Sequence, residues 1–382
     1  MEWEFTEEQQ MIRQMIARLA AEKIAPRAAE IDETNDFPQD IKEIMAQNGL
    51  LKMGLPEKYG GIGAGVTTLC IVMEEVAKVS LSATIIFFSI HLIIEMLLAA
   101  GTEEQQERFF PRIAEGDKIG CMAVTEPNAG SDLSSMQTRA VLDGNTYVVN
   151  GTKCFLTAGG VADFYGLFAS TQPEKKGHGI SGFMVERDTP GLSIGKLENP
   201  MGMRGAANVE VIFDGTRIPK DNLLGKEGEG LKILLETLET ERLWVSAQAV
   251  GLAQGAMEYA ARYAQERVQF GRAIAEFQAI QFMLAEMATQ IEAARSLLYR
   301  AASLKDQGRK DTRGLAAMAK CFATDMAMRA TTDAVQILGG YGYMKDHPVE
   351  RMMRDAKATQ IFAGTNQIQK IVIARSLMGK YD

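Results

Sequence analysis

Cysteine, histidine, proline and runs of basic residues are all scarce in this chain, and each scarcity removes a class of function. Its four cysteines, at 70, 121, 154 and 321, are far apart, so no Cys-x-x-Cys pair exists to hold zinc or shuttle disulfides. Isolated thiols fit a reducing cytoplasm. The three histidines, at 91, 178 and 347, lack metal-ligand spacing, so no metal site is expected. A serine-hydrolase centre is not expected either. The net charge of −8, with no block of lysine and arginine, argues against a nucleic-acid surface, whose phosphate contacts require a basic patch. The opening residues, Met1-Glu2-Trp3-Glu4-Phe5, show neither a basic stretch nor an apolar core of the kind a secretory signal carries.

What is present is globular in character. The 382 residues suffice for roughly two or three domains. Hydrophobic residues make up 46% and charged residues 24%, away from disordered and collagenous compositions. Residues 81 to 100 form an apolar run about long enough to cross a bilayer, but His91 and Glu95 interrupt it and no basic flank anchors it. A buried helix is expected there, and no membrane span.

Three segments differ in periodicity. Residues 1–120 carry apolar residues at three and four spacings, as in Met11-Ile12-Met15-Ile16-Leu19, with breakers expected at Pro26, Pro38, Pro56 and Pro111. Residues 121–225 change to short β-rich runs split by glycines, including Thr146-Tyr147-Val148-Val149 and Val209-Glu210-Val211-Ile212-Phe213. Residues 226–382 contain a proline-free stretch from Leu231 to Asp346, which predicts long antiparallel helices. The fold class is therefore mostly α with a β-domain in the middle. The glycine clusters at 60–65 and 225–230 read as turns: the first follows no strand, and the second lacks the hydroxyl that follows a Walker lysine.

Chemistry is carried by a series of short stretches. Val124-Thr125-Glu126-Pro127-Asn128-Ala129-Gly130-Ser131-Asp132 is a loop of small residues whose backbone N–H groups and hydroxyls suit a large polar cofactor. It is followed by Phe155-Leu156-Thr157, Met201-Gly202-Met203-Arg204-Gly205, Glu266-Arg267-Val268-Gln269-Phe270-Gly271, Gln336-Ile337-Leu338-Gly339-Gly340-Tyr341-Gly342 and Gly364-Thr365-Asn366-Gln367. In this order and spacing the chain resembles the acyl-CoA dehydrogenase family over nearly its whole length.

The resemblance implies an N-terminal helical domain, a middle β-barrel-like domain and a C-terminal four-helix bundle. It further implies a homotetramer, a dimer of dimers, with FAD between the β-domain and the C-terminal helices. Val124, Thr125 and Ser131 match flavin-loop positions, Phe155 replaces the usual flavin-packing tryptophan, and Thr157 matches the hydroxyl facing N5. Arg267 and Phe270 match residues that reach a neighbouring subunit's cofactor. Gln336, Gly339 and Gly340 match its adenosine end, and Thr365 and Gln367 its pyrophosphate. The implied reaction removes an α-proton and a β-hydride from an acyl-CoA thioester, with an electron-transfer flavoprotein as acceptor.

One position breaks the pattern. Ala363 stands where the family usually keeps its catalytic glutamate. A relocated base is expected at Glu241, in an apolar stripe with Leu238, Trp244 and Val245 where burial would raise its pKa. A subset of the family, resembling isovaleryl- and long-chain acyl-CoA dehydrogenases, carries its base here, directly before the arginine matched by Arg242, which would contact CoA. Ser131 and His91 are further substrate-side candidates. His91 and Glu95 are spaced to satisfy each other on one helix, or to touch a cyclic, branched or functionalised acyl group. The alternatives are an enoyl-CoA reductase or oxidase on the same fold, and a non-catalytic acyl-CoA-binding relative, for which Ala363 is the motive.

Overall fold

A computed structural model describes residues 5–379. Residues 1–4, the acidic start considered above for a signal, and residues 380–382 lie outside the described residues.

Helices come first: α1 (Glu7–Leu19), α2 (Ala28–Thr34), α3 (Gln39–Gln47), α4 (Val66–Ala77), α5 (Leu81–Ala100) and α6 (Glu103–Ala114). Two of them begin with a capping box. Thr6 accepts from the Gln9 N–H while Gln9 bonds back to Thr6, and Thr102 and Gln105 repeat the device at α6. Pro111 does not break α6 as its residue type predicts; it lies inside the last turn. The carbonyl deprived of its donor belongs to the exposed Glu107, where water can take the bond.

α5 is the apolar run. Ser80 caps it by accepting from the Ala83 N–H at 3.2 Å. Among the described residues it alone is long and apolar enough to cross a membrane, and 78% of its apolar window is buried inside the protein, against α7, α4 and the first strand.

The middle of the chain supplies β1 (Gly120–Ala123), β2 (Arg139–Asp143), β3 (Thr146–Leu156), β4 (Phe164–Ser170), β5 (Ile180–Glu186), β6 (Leu192–Leu197), β7 (Val209–Pro219) and β8 (Leu223–Leu224). They form one eight-stranded sheet in the order β6-β7-β3-β2-β4-β5-β8, with β1 parallel to β4. The sheet has its own core around Tyr147, Tyr165, Phe183 and Phe213. The run Gly191-Leu192-Ser193-Ile194-Gly195 has the spacing of a nucleophile elbow. Its serine instead lies in β6, paired with Ile212 of β7, not at a strand-to-helix turn.

The C-terminal part contains α7 (Gly230–Glu266), a short hairpin of β9 (Val268–Gln269) and β10 (Arg272–Ala273), α8 (Gln278–Asp306), α9 (Arg313–Leu338), α10 (Val349–Thr359) and α11 (Asn366–Leu377). α7 crosses α4 closely enough that a Cβ on Gly251 would stand 2.1 Å from the Glu74 carbonyl oxygen, and one on Gly255 2.0 Å from that of Lys78. Only glycine permits that approach. At the same crossing the buried Glu74 accepts from Arg295 Nε at 2.9 Å and the Tyr299 hydroxyl at 2.7 Å. Removing one partner leaves a buried charge uncompensated. Arg295→Met should therefore cost about 3 kcal/mol in urea unfolding; an unchanged midpoint would show the pair to be dispensable.

Candidate active site

The central stretch of α7 is buried on every side from Thr237 to Ala253 except at Leu238. Its polar members must therefore find partners inside, and most do. Glu239 accepts from the Thr312 hydroxyl at 2.5 Å and from Lys305 at 3.4 Å, and Thr240 donates to Glu95 at 2.7 Å. Among the described residues, Glu241 Oε2 is buried without a hydrogen-bond partner, as are Trp244 Nε1 and Gln248 Oε1, but of these three only Glu241 is ionisable in the neutral range. Burial pushes this carboxyl up to about 7 against the opposing charges of Arg242 and Lys320.

Lys320, on α9, is fully buried. Its ammonium donates to the Gly364 carbonyl at 3.0 Å and to Asn366 Oδ1 at 2.9 Å. Gln369 Nε2 donates to the carbonyls of Ala363, at 3.1 Å, and Gly364, at 2.8 Å. These bonds hold a tight turn between α10 and α11 in which Ala363 has φ of 54° and Gly364 φ of 83°. A left-handed alanine costs about 1 kcal/mol and persists where neighbours over-determine it. With both carbonyls engaged, no acceptor among the described residues takes the Ala363 N–H.

An aromatic wall joins these elements. The ring of Phe88 on α5 meets Trp244, one turn from Glu241, at 6.0 Å and Phe362 at 6.4 Å, both edge-to-face. Trp244 one turn from Glu241, Phe362 next to Ala363, and the apolar helix α5 thus meet at one place.

His91 and Glu95 do not satisfy each other, contrary to their spacing. Burial pushes the imidazole down to about 4, so it is neutral and offers no charge to a carboxylate. Nδ1 donates to the Phe87 carbonyl at 2.7 Å, and Nε2 accepts from the Gly54 N–H at 3.3 Å. Glu95 is taken by Thr240. Both ring nitrogens of His91 are thus engaged within the protein.

The loop after β1 is built from the strand beneath it. Lys153 of β3, fully buried, donates to the Val124 carbonyl at 2.9 Å and to Glu126 Oε1 at 2.8 Å. The Cys154 N–H donates to the Thr125 carbonyl at 2.9 Å, and Glu126 also accepts from the N–H groups of Gln137 and Thr138 at 2.6 and 2.9 Å. Burial opposes the Glu126 charge, yet Lys153 and these donors hold its carboxyl below the usual range. Ser131 lies exposed on the same loop. A register shift between Lys153 and Leu156 turns Phe155 outward, at φ 57° and 66% exposed, beside the half-buried Thr157.

A second group gathers elsewhere. Arg267, Phe270, Gly339 and Gly340 line a cavity of about 740 Å³ with Tyr263 and Tyr341. Arg267 stands 5.4 Å over the Tyr341 ring, and Phe270 is 93% exposed at the hairpin tip. Gln336 is exposed at the end of α9, and Gln367 is exposed in the first turn of α11, whose cap Thr365 accepts from the Ile368 N–H. None of Val124, Thr125, Ser131, Phe155 or Thr157 lines that cavity, so the cofactor candidates fall into separate groups within one chain.

Family models match the chain over nearly its whole length. The N-terminal, middle and C-terminal domains of acyl-CoA dehydrogenase match residues 6–117, 121–216 and 228–378. The chain belongs to the acyl-CoA dehydrogenase family. Cyclohex-1-ene-1-carbonyl-CoA dehydrogenase of Geobacter metallireducens is 48% identical over 98% of this chain and 98% of its own length. The butyryl-CoA dehydrogenase structure from Megasphaera elsdenii superposes with a TM-score of 0.95 at 41% identity, covering 99% of this chain and 100% of that one. A structure described as the electron transferring flavoprotein of Acidaminococcus fermentans gives 0.95 at 46% identity, over 99% and 100%.

As in the family, the enzyme is a flavin-dependent oxidoreductase that uses FAD to dehydrogenate acyl-CoA. The residues present fit that group. Phe155 offers an outward apolar ring next to a hydroxyl, and a Cβ added at Gly130, Gly339 or Gly340 would enter open space.

Sequence reasoning missed both buried lysines. Strand parity could have found one, since Tyr147, Val149 and Lys153 share an inward face; helical spacing could have found the other, since Ala316, Lys320, Thr324 and Ala327 form one buried stripe.

Proposed function

We propose that Glu241 is the base of an α,β-dehydrogenation of a compact acyl-CoA thioester. One observation carries the assignment: a carboxyl oxygen sealed from water, without a partner, with its affinity for protons raised. The α C–H bond breaks, its proton goes to Glu241 Oε2, and the electron pair spreads onto the thioester carbonyl oxygen. To that oxygen we assign the unclaimed Ala363 N–H, a fixed dipole aimed where charge develops. FAD, when bound, accepts the hydride from the neighbouring carbon. Val124, Thr125, Ser131, Phe155 and Thr157 are assigned to its flavin end, and Thr365 and Gln367 to its pyrophosphate. Arg242 is assigned to the CoA side of the thioester.

Two observations support the compact acyl group: the Phe88 ring packs on Trp244, one turn from Glu241, and on Phe362, next to Ala363, and a 48% identical relative is named for a six-membered-ring thioester. The almost bare Phe270 supports a second copy of the chain covering the Arg267 cavity, as in a homotetramer, where Gln336, Gly339 and Gly340 would meet that copy's FAD. The Acidaminococcus match supports an electron-transfer flavoprotein as acceptor.

Anaerobic mixing of the yellow enzyme with butyryl-, cyclohexanecarbonyl- and palmitoyl-CoA tests the proposal. Bleaching by the first two, with palmitoyl-CoA at least about tenfold poorer in kcat/KM, is expected; one or two methylenes already shift such ratios by that much. A flavin that no thioester bleaches would defeat the dehydrogenase reading, and preference for palmitoyl-CoA the compact pocket.

A further inference from the structure

Among the described residues, Lys320 is a buried cation with no carboxylate in hydrogen-bond contact. Its bonds go to a carbonyl, Gly364, and to an amide, Asn366. An ammonium at full burial is far more costly than a neutral side chain unless its charge is used, and either bond could be made by an amide. Its hydrogen bonds fix the turn that presents the Ala363 N–H, while its charge is felt by Glu241 across the α7–α9 interface.

We propose that Lys320 is a positioning residue that acts in two ways, its N–H bonds holding the Ala363–Gly364 turn and its charge, carried on the helix packed against α7, favouring the ionised form of Glu241. The inference rests on Glu241 being the base. It explains how one helix-borne carboxylate serves a site whose loop has lost its own: the cation that orders the loop also offsets the burial of the carboxylate.

The charged and titratable groups around the pair come from every packed element. α7 presents Glu241 and Arg242, α9 presents Cys321 and Asp325 beside Lys320, and α5 reaches Thr240 through Glu95. Asn366 on α11 relays to Thr324 and Asp325, and Gln360 at the end of α10 donates to Asp325 at 2.6 Å. Burial pushes Lys320 down to about 7 and Glu241 up to about 7, while their mutual attraction favours the charged form of each, so they titrate as a pair. Neutralising Lys320 leaves Arg242 as the remaining charge opposing protonation, so the Glu241 midpoint moves up and the acid limb of kcat/KM moves with it.

Three substitutions separate the two effects. Lys320→Arg keeps donor and charge, Lys320→Gln keeps a donor without charge, and Lys320→Met keeps neither. The measurement is the side-chain carboxyl ¹³C shift of Glu241 against pH in the purified holoenzyme, assigned by its disappearance in Glu241→Gln, alongside the pH profile of kcat/KM. Lys320→Gln and Lys320→Met should raise the Glu241 midpoint by about one pH unit or more, and Lys320→Arg should restore it to within about half a unit. Lys320→Met should also lower the kcat plateau at least about tenfold beyond Lys320→Gln, because the turn loses its anchor.

A lysine that only stabilises the fold would lower the melting temperature and leave the midpoint in place; that outcome overturns the proposal. If Lys320→Met does not fold, Lys320→Gln alone decides the charge. Because the carbon shift reports Glu241 whether or not it is the base, failure here is distinct from an active Glu241→Gln enzyme, which would defeat the base assignment itself.

Discussion

Glu241→Gln should retain flavin and bind thioester while kcat falls by roughly 10²- to 10⁴-fold, the span that a positioned general base supplies. The amide keeps the shape of the carboxyl and removes only its ability to take a proton. Restoring a carboxylate at the other end of the same site gives the complementary result. Ala363→Glu in the Glu241→Gln background should recover about tenfold or more, since both positions approach one reacting centre and proton transfer tolerates a moved base better than a missing one. An inert double variant would show that the two positions do not share a substrate.

The same substitution has a thermodynamic signature of opposite sign. Glu241 is raised from an ordinary 4.5 to about 7, so the folded state binds its proton more tightly than the unfolded chain does. Stability from this group is whole below about pH 4.5, declines as pH rises to about 7, and stays lost above. Glu241→Gln should therefore be more stable than the parent at pH 8, by up to about 3 kcal/mol, and no more stable at pH 4. Denaturant melts at the two pH values check this, and equal differences at both would remove the argument for a strained carboxyl. A stabilised, inactive variant is what a site held away from its optimum predicts.

Lys153→Met should be the most damaging change outside the base. It deprives Glu126 of its cation at full burial, which costs about 3–5 kcal/mol, and frees the Val124 carbonyl from its anchor. Flavin content should fall together with the unfolding midpoint, read from the ratio of flavin to protein absorbance. Glu126 is held below its ordinary range, so this carboxylate's own contribution is intact above that range and is lost as the solution is acidified through the depressed value. Lys153→Met/Glu126→Gln should regain most of the stability, because two neutral groups replace one stranded charge. A Lys153→Met enzyme with full flavin would show that the loop is held by its backbone bonds alone.

Much of this protein was legible along the chain because the relevant signals are local. Apolar periodicity of three to four, then two, then three to four again follows from how side chains leave a helix or a strand, and the helix, sheet, helix order follows from it. The capping residues Thr6 and Thr102 act on N–H groups three residues away. Glu241 stood out because its stripe neighbours are apolar, a statement about one helix face.

What failed was pairing. His91 and Glu95 are well spaced for each other, but spacing says which groups can meet, not which partner lies closer. Gly54 and Thr240, from other elements, were nearer to each. Pro111 failed similarly, since whether a proline ends a helix depends on whether water can reach the carbonyl it strands.

By itself, then, the order of residues determined the secondary-structure plan, the family and the candidate carboxylate, since each is encoded within a few turns or strands. Only the tertiary structure decided that Glu241 lacks a partner, that Lys320 ties its surroundings to the Ala363 turn, and that His91 is already satisfied. Burial and electrostatic environment are properties of what packs around a group, and in this chain those neighbours come from segments as far apart in sequence as Gly54 and Asn366.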